Sequence, residues 1–238
     1  MSKTSAIVIW TIKYGDSSLI ANCYTKNDGL IGYMLNGILK SRKRTLKKAL
    51  FQPFNIINII SNRTKKEGLN YIKEASVIQP LSLHNSVIKT SIILFLSEVL
   101  KNVLKEEKSK NSNLYDYLET MILWMDSNHP NPNFHIKFLI ELTRFIGFYP
   151  NISNKNKKYF DLSSGCFTDK NNSENILSIS NMRYFKEILG MDFDHIKTLN
   201  WNHNIRIEIL NEIIRYYSIH LQNFKTPKSL SVLHEIFK

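Results

Sequence analysis

Acidic residues are scarce at the start of the chain. Residues 1–80 hold only 4 Asp/Glu against 13 Lys/Arg, whereas residues 81–238 are closer to balance, with 16 against 19. The formal net charge of +12 is therefore concentrated in the first third, as suits a surface that gathers a polyanion. Cysteine is nearly absent. Cys23 and Cys166 could form one bridge at most, which excludes a disulfide-built scaffold and leaves reduced thiols in a cytosolic protein as the simpler reading. Long apolar runs are missing too. The strongest, Ile92–Leu96, is flanked by Lys89 and Glu98 and is far shorter than a membrane crossing. The early run Ala6–Ile12 leads into Lys13, Gly15 and Asp16 without a small-residue cleavage site, so no signal peptide is expected. These features predict a soluble, cytoplasmic protein with no membrane partner.

Catalytic signatures are lacking as well. There is no phosphate-binding Gly-x-x-x-x-Gly-Lys-Ser/Thr loop, no His-Glu-x-x-His and no Gly-x-Ser-x-Gly. The nearest approach to a metal cluster is Asp192 and Asp194 with His195. Such a group could hold magnesium as in a nuclease, although acids at this spacing more often open a helix, where the positive dipole end favours them. The scattered His203, His220 and His234 are expected on helices as ordinary surface or core residues. Cys23 is expected to be a small buried apolar residue.

What the chain does contain is enough apolar material for a sizeable core: 238 residues, 43% hydrophobic, with thirteen Phe and eleven Tyr. Short β-branched segments with turn signals between them predict strands at Ser5–Ile12, Leu19–Thr25, Leu30–Leu35, Phe54–Ile60 and Leu69–Ala75. Five strands in so short a stretch suit a small OB-type barrel. Beyond Pro80 the apolar spacing becomes helical. Helices are predicted over Leu83–Lys105, with Ser82 or Asn85 as its cap, and over Ser112–Ser127 and Asn133–Ile146. Further helices are expected at Met182–Leu189, Phe193–Thr198, Asn204–Asn223 and Ser229–Phe237, with a small strand pair at Tyr159–Leu162 and Cys166–Thr168. The predicted fold is α+β: an N-terminal five-stranded OB-type β-barrel over residues 1–80, followed by an all-α domain over residues 81–238.

Between the third and fourth predicted strands lies Lys40-Ser41-Arg42-Lys43-Arg44-Thr45-Leu46-Lys47-Lys48, in which six of nine residues are cationic. Their mutual repulsion is relieved when phosphates replace it and release counterions. A solvated charged loop and a nuclear-localisation signal are the alternative readings of the same composition. Trp10, Tyr14, Tyr24, Tyr33, Phe51 and Phe54 lie nearby in sequence. Most are expected in the core, while Tyr14 and Tyr33, beside glycines, are expected to be exposed and able to stack on unpaired bases.

These segments together resemble the RecO family of bacterial recombination mediators. Tyr14-Gly15-Asp16-Ser17-Ser18-Leu19-Ile20 resembles that family's glycine- and serine-bearing turn into a strand. Cys23-Tyr24-Thr25 and Asp28-Gly29-Leu30-Ile31 resemble the strand-turn-strand that follows. Gly37, the basic loop and Leu50-Phe51-Gln52-Pro53-Phe54 resemble its glycine, basic run and Leu-Gln-Pro-Phe signature, with Phe51 inserted. Lys137-Phe138, Phe145-Ile146-Gly147-Phe148, Pro150 and Lys228-Ser229-Leu230 extend the likeness toward the C-terminus. The resemblance implies an OB fold that binds single- and double-stranded DNA and anneals complementary strands without nucleotide hydrolysis. It also implies that the protein acts with RecR to help load RecA onto DNA coated by single-strand binding protein (SSB), the helical domain docking the acidic SSB tail. Association with the nucleoid would follow. One departure stands out. Many family members carry a four-cysteine zinc site after the position of Gly147–Pro150, where this chain has Asn151-Ile152-Ser153-Asn154 and retains only Cys166. No zinc and no other cofactor are expected.

The expectation is a non-enzymatic mediator whose DNA contacts come from Lys40, Arg42, Lys43, Arg44, Lys47 and Lys48, with Tyr14 and Tyr33 as stacking surfaces. Lys137 and Arg144, seven residues apart on one face of the third helix, with Phe138 beside them, are expected to receive the SSB tail. The competing readings are a basic module with metal-dependent nuclease activity and a membrane-surface protein. The second is weakened because the basic run has few apolar neighbours to form an amphipathic helix.

Overall fold

The computed structural model describes residues 2–40, 46–62, 69–106 and 110–237, which fall into two compact units, Met1–Asn128 and His129–Lys238. The first unit is built on five strands: β1 (Ser2–Tyr14), β2 (Ser18–Thr25), β3 (Gly29–Leu35), β4 (Ile56–Asn62) and β5 (Asn70–Val77). They close into a barrel in the order β1-β2-β3-β5-β4. The meander β1-β2-β3 is antiparallel, β4 pairs with both β1 and β5, and a parallel contact between β3 and β5 completes the ring. Each strand thus has a neighbour on both sides, although the β3–β5 closure is short, with Tyr33 opposite Asn70 and Met34 opposite Tyr71. Inward side chains from every strand fill it, among them Val8, Ala21, Cys23, Leu35, Ile57 and Ile72. Burial raises the pKa of the Cys23 thiol well above its ordinary range, so this cysteine behaves as core.

The outer face of β1 is buried as well. Ala6, Ile7, Val8 and Ile9 are all fully covered, which accounts for a segment that is apolar throughout instead of alternating. A bulge lies at Ile9, since Val8 pairs with Cys23 while Trp10 pairs with Asn22. The Ile9 carbonyl accepts a hydrogen bond from the Ser97 hydroxyl of the following helix, α1 (Val87–Glu106). The fourth strand begins later than the sequence predicts. Phe54 sits in the left-handed region (φ 69°), rare for a bulky residue, with its N–H donating to the Val8 carbonyl. That kink delays regular pairing until Ile56.

Helices α1 and α2 (Ser112–Ser127) belong to the same unit as the barrel. The α1 cap is neither of the residues expected. Ser86 Oγ accepts from the Lys89 N–H, while Ser82 instead binds the Asp126 carboxylate through its N–H and its hydroxyl, both at 2.8 Å. Asn111 caps α2, its side chain accepting from Leu114 N–H.

The second unit contains α3 (Phe134–Leu142), the hairpin β6 (Tyr159–Asp161) and β7 (Cys166–Thr168), α4 (Ile179–Ile188), α5 (His203–His220) and α6 (Leu230–Ile236). Phe193–Thr198, expected as a helix, is a single 3-10 turn at His195–Thr198. Helix α3 is buried on all sides, every residue but Glu141 being inaccessible, so it is the core helix of the unit and not an amphipathic surface one.

The segment after Pro150 offers one thiol, Cys166, where a structural zinc ion would require four nitrogen or sulfur ligands, so its residues do not fit that metal. Hydrogen bonds and aromatic packing hold it instead. Asp161 accepts from Ser163 N–H, Ser164 Oγ and Ser173 Oγ. Arg215 donates to the Glu174 carbonyl and Asn175 Oδ1 at 2.9 and 3.0 Å. Phe160 packs against Phe167, Phe185 and Tyr216. Among the described residues, no helix is long and apolar enough to cross a membrane.

Candidate nucleic-acid interface

The basic segment leaves the barrel where β3 ends. A turn through Gly37 (φ 64°) leads to the exposed Lys40, and Leu46 packs against the barrel core. Lys47 and Lys48 follow, exposed, at the start of a 3-10 turn (Lys48–Phe51). That turn drops Phe51 into the core, and the Asn55 side chain fastens it by donating to the Ala49 and Leu50 carbonyls. The Leu-Phe-Gln-Pro-Phe signature thus fastens the chain that follows Lys47 and Lys48 to the barrel. Among the described residues, no carboxylate pairs with Lys40, Lys47 or Lys48. Arg42, Lys43 and Arg44 lie outside the described residues.

The two tyrosines diverge. Tyr14 is 57% exposed, at the turn where β1 passes through Gly15 (φ 57°) into β2. Tyr33 is 3% exposed, which corrects its expected placement. Its neighbour Gly32 lies in mid-strand opposite Asn22 and marks no turn. A Cβ there would stand 3.0 Å from Leu69 Cδ2, so this glycine serves a close approach. Tyr33 therefore follows the inward alternation of Ile31 and Leu35. The exposed aromatic that sequence reasoning missed is Tyr71 on β5, 49% exposed, with Lys73 beside it. Period-two alternation around the inward Ile72 carried that signal.

Lys137 is 1% exposed and Phe138 is equally buried, so neither stands on an open docking face, in contrast to expectation. The physical reason is the all-round burial of α3. Lys137 Nζ meets Glu141 Oε1 at 2.6 Å and lies 3.4 Å from the Ile188 carbonyl. Burial pulls its pKa below the ordinary lysine value, while Glu141 opposes that shift. The α-helix stops at Leu142, so Arg144 does not share its face. Arg144 is exposed, pairs with the other Glu141 oxygen and places its guanidinium 3.5 Å from the centre of the Tyr149 ring.

The residues suspected of metal binding do not converge. Asp192 and His195 approach only to 3.8 Å and are both largely in solvent. Among the described residues, no group of three or more His, Cys, Asp or Glu side chains could hold a metal ion.

The profile of the family "Recombination protein O N terminal" matches residues 1–81, and that of "Recombination protein O C terminal" matches residues 84–230. The chain belongs to the RecO family. Proteins named DNA repair protein RecO resemble it from end to end. That of Christiangramia forsetii is 40% identical over 235 residues, covering 98% of each chain. Those of Flavobacterium psychrophilum and Flavobacterium johnsoniae are 39% and 38% identical, each covering 99% of this chain and 98% of theirs. In RecO terms, the barrel and its basic loop lie within the N-terminal match, while α1 to α5 lie within the C-terminal one.

Proposed function

We propose that this RecO-family protein binds single- and double-stranded DNA through the cationic segment Lys40–Lys48, anneals complementary strands, and, with RecR, helps load RecA onto SSB-coated single strands. The observation that carries the reading is the near full-length likeness to proteins named DNA repair protein RecO. The exposed Lys40, Lys47 and Lys48 support it, lying on either side of Arg42, Lys43 and Arg44 in the sequence and next to Leu46, which packs against the barrel core. Ammonium and guanidinium groups on such a loop contact phosphates, which position DNA without reading its sequence. Neutralising two strands at once lowers their repulsion, and base pairing supplies the remaining free energy, so no nucleotide hydrolysis is needed. In the second unit, Arg144 is the member of the expected tail-binding set that stands at the surface; docking of the acidic SSB tail there is part of the proposal.

The test is annealing of SSB-coated complementary strands with and without ATP, together with binding measured across a salt series. With about four to six phosphate contacts, log affinity falls against log salt with a slope of roughly 3–5. Reversing the charges of Arg42, Lys43 and Arg44 is expected to flatten that slope and slow annealing. An unchanged slope removes the loop from the interface.

A further inference from the structure

The barrel closes over very little. Strands β3 and β5 pair at two positions, Tyr33 with Asn70 and Met34 with Tyr71. Past this seam β3 ends at Leu35 and the chain turns away, while β5 continues through Ile72 and Lys73 along β4. The divergence leaves a cavity of about 340 Å³ at the barrel wall. Met34, Leu35, Ile38, Leu46 and Ile72 give it an apolar lining, to which Asn36, Tyr71 and Lys73 add polar groups.

From this geometry we infer that the cavity seats one unpaired nucleobase of a single strand, stacked against Tyr71, while the strand's phosphates run past Lys73, Lys40, Lys47 and Lys48. The inference rests on the DNA-binding reading above and adds to it a residue and a preference for unpaired DNA.

Three observations favour this occupant. The opening is flanked by positive charge on both sides. Lys73 lines it directly, and the chain on its other wall runs from Ile38 to Lys40 and from Leu46 to Lys47 and Lys48, all exposed lysines. Glu74, the acidic neighbour on β5, does not line it. The apolar lining with Tyr71 beside it suits a flat ring whose polar edge can remain in water, whereas a phosphate alone would gain nothing from Leu46 or Ile72. Finally, Tyr71 spends half its surface on solvent at a position where its strand neighbour Ile72 is drawn inward. A paired base cannot enter, because in a duplex both of its faces are already stacked.

The experiment compares the full chain with Tyr71→Ala and Tyr71→Phe. Binding to a labelled oligothymidylate and to a duplex of the same length is followed by fluorescence anisotropy at several salt concentrations. Tyr71→Ala is expected to weaken single-strand binding about tenfold, equivalent to about 1.4 kcal/mol. Duplex affinity and the salt slope should stay as in the parent, and Tyr71→Phe should bind as the parent does. Photocrosslinking of an oligonucleotide carrying a halogenated uracil, followed by peptide mass analysis, is expected to label the β5 peptide at Tyr71. Unaltered duplex binding by Tyr71→Ala also certifies that the barrel has folded. Equal losses on both DNA forms, no loss on either, or crosslinks only elsewhere would overturn the assignment. If the parent binds neither DNA form, the DNA-binding reading falls with it. If the parent binds normally and Tyr71→Ala keeps full single-strand affinity, the occupant of the cavity alone is wrong.

Discussion

Acid should loosen the second unit through one imidazole. His135 lies on the buried helix α3, is 2% exposed and stacks on the Phe237 ring at 5.5 Å between centres. Desolvation, aided by the Arg206 guanidinium and by His234, pushes its pKa from 6.5 down to about 3. The folded-state value is depressed, so the unfolded chain takes up the proton first as pH falls. The stabilising contribution is whole above about 6.5 and is lost progressively as pH drops toward about 3. Each pH unit in that window removes up to about 1.4 kcal/mol, so acidification to about pH 5 should cost about 2 kcal/mol from this residue. Urea unfolding at about pH 7.5 and about pH 5 measures the loss. His135→Phe keeps a ring against Phe237 but has no nitrogen to protonate, and it should lose about 2 kcal/mol less over the same interval. His84 is also held below the usual histidine value by burial, but it acts alike in both proteins and cancels in the comparison. Equal acid losses in parent and variant would refute the assignment to His135.

Two other substitutions test the second unit. Lys137→Ala should cost about 2–4 kcal/mol in urea unfolding by opening a void and breaking a buried ion pair, whereas Lys137→Met, which keeps the stem, should cost less than half as much. An equal cost would show that charge and not packing dominates. Asp161→Ala removes the acceptor for two hydrogen bonds in the β6–β7 turn and for a third from Ser173 beyond β7. It should destabilise by about 1–3 kcal/mol and speed amide exchange at Ser163; unchanged exchange there would show that Phe160 and its aromatic neighbours hold the hairpin unaided.

The elements were legible where a local rule governs them. All five barrel strands begin within about three residues of the positions set by their β-branched runs, and Ser112–Ser127 is matched in full because Asn111 caps it as its side chain allows. The late start of β4 was not legible, because no local rule announces a left-handed Phe54. The parallel β3–β5 seam joins segments far apart in sequence, and periodicity carries no information about partners. The same limit applies to the site. The cationic loop is visible as composition, but exposure is a property of the fold. Tyr33 stands beside a glycine yet points inward, Tyr71 lies on a strand with a weak local pattern, and nothing near Lys137 in the sequence announces that α3 is buried on every side.

The bulge at Ile9 has a practical corollary for anyone cutting the gene. Severing the polypeptide at the changeover from strands to helices would strip α1 from the outer wall of β1, baring Ile7 and Ile9 and removing the hydroxyl that satisfies a carbonyl there. Such a fragment would present a greasy stripe about one strand long and is expected to clump. An expression product meant to behave as a well-dispersed barrel should carry its two helices with it and stop at Asn128.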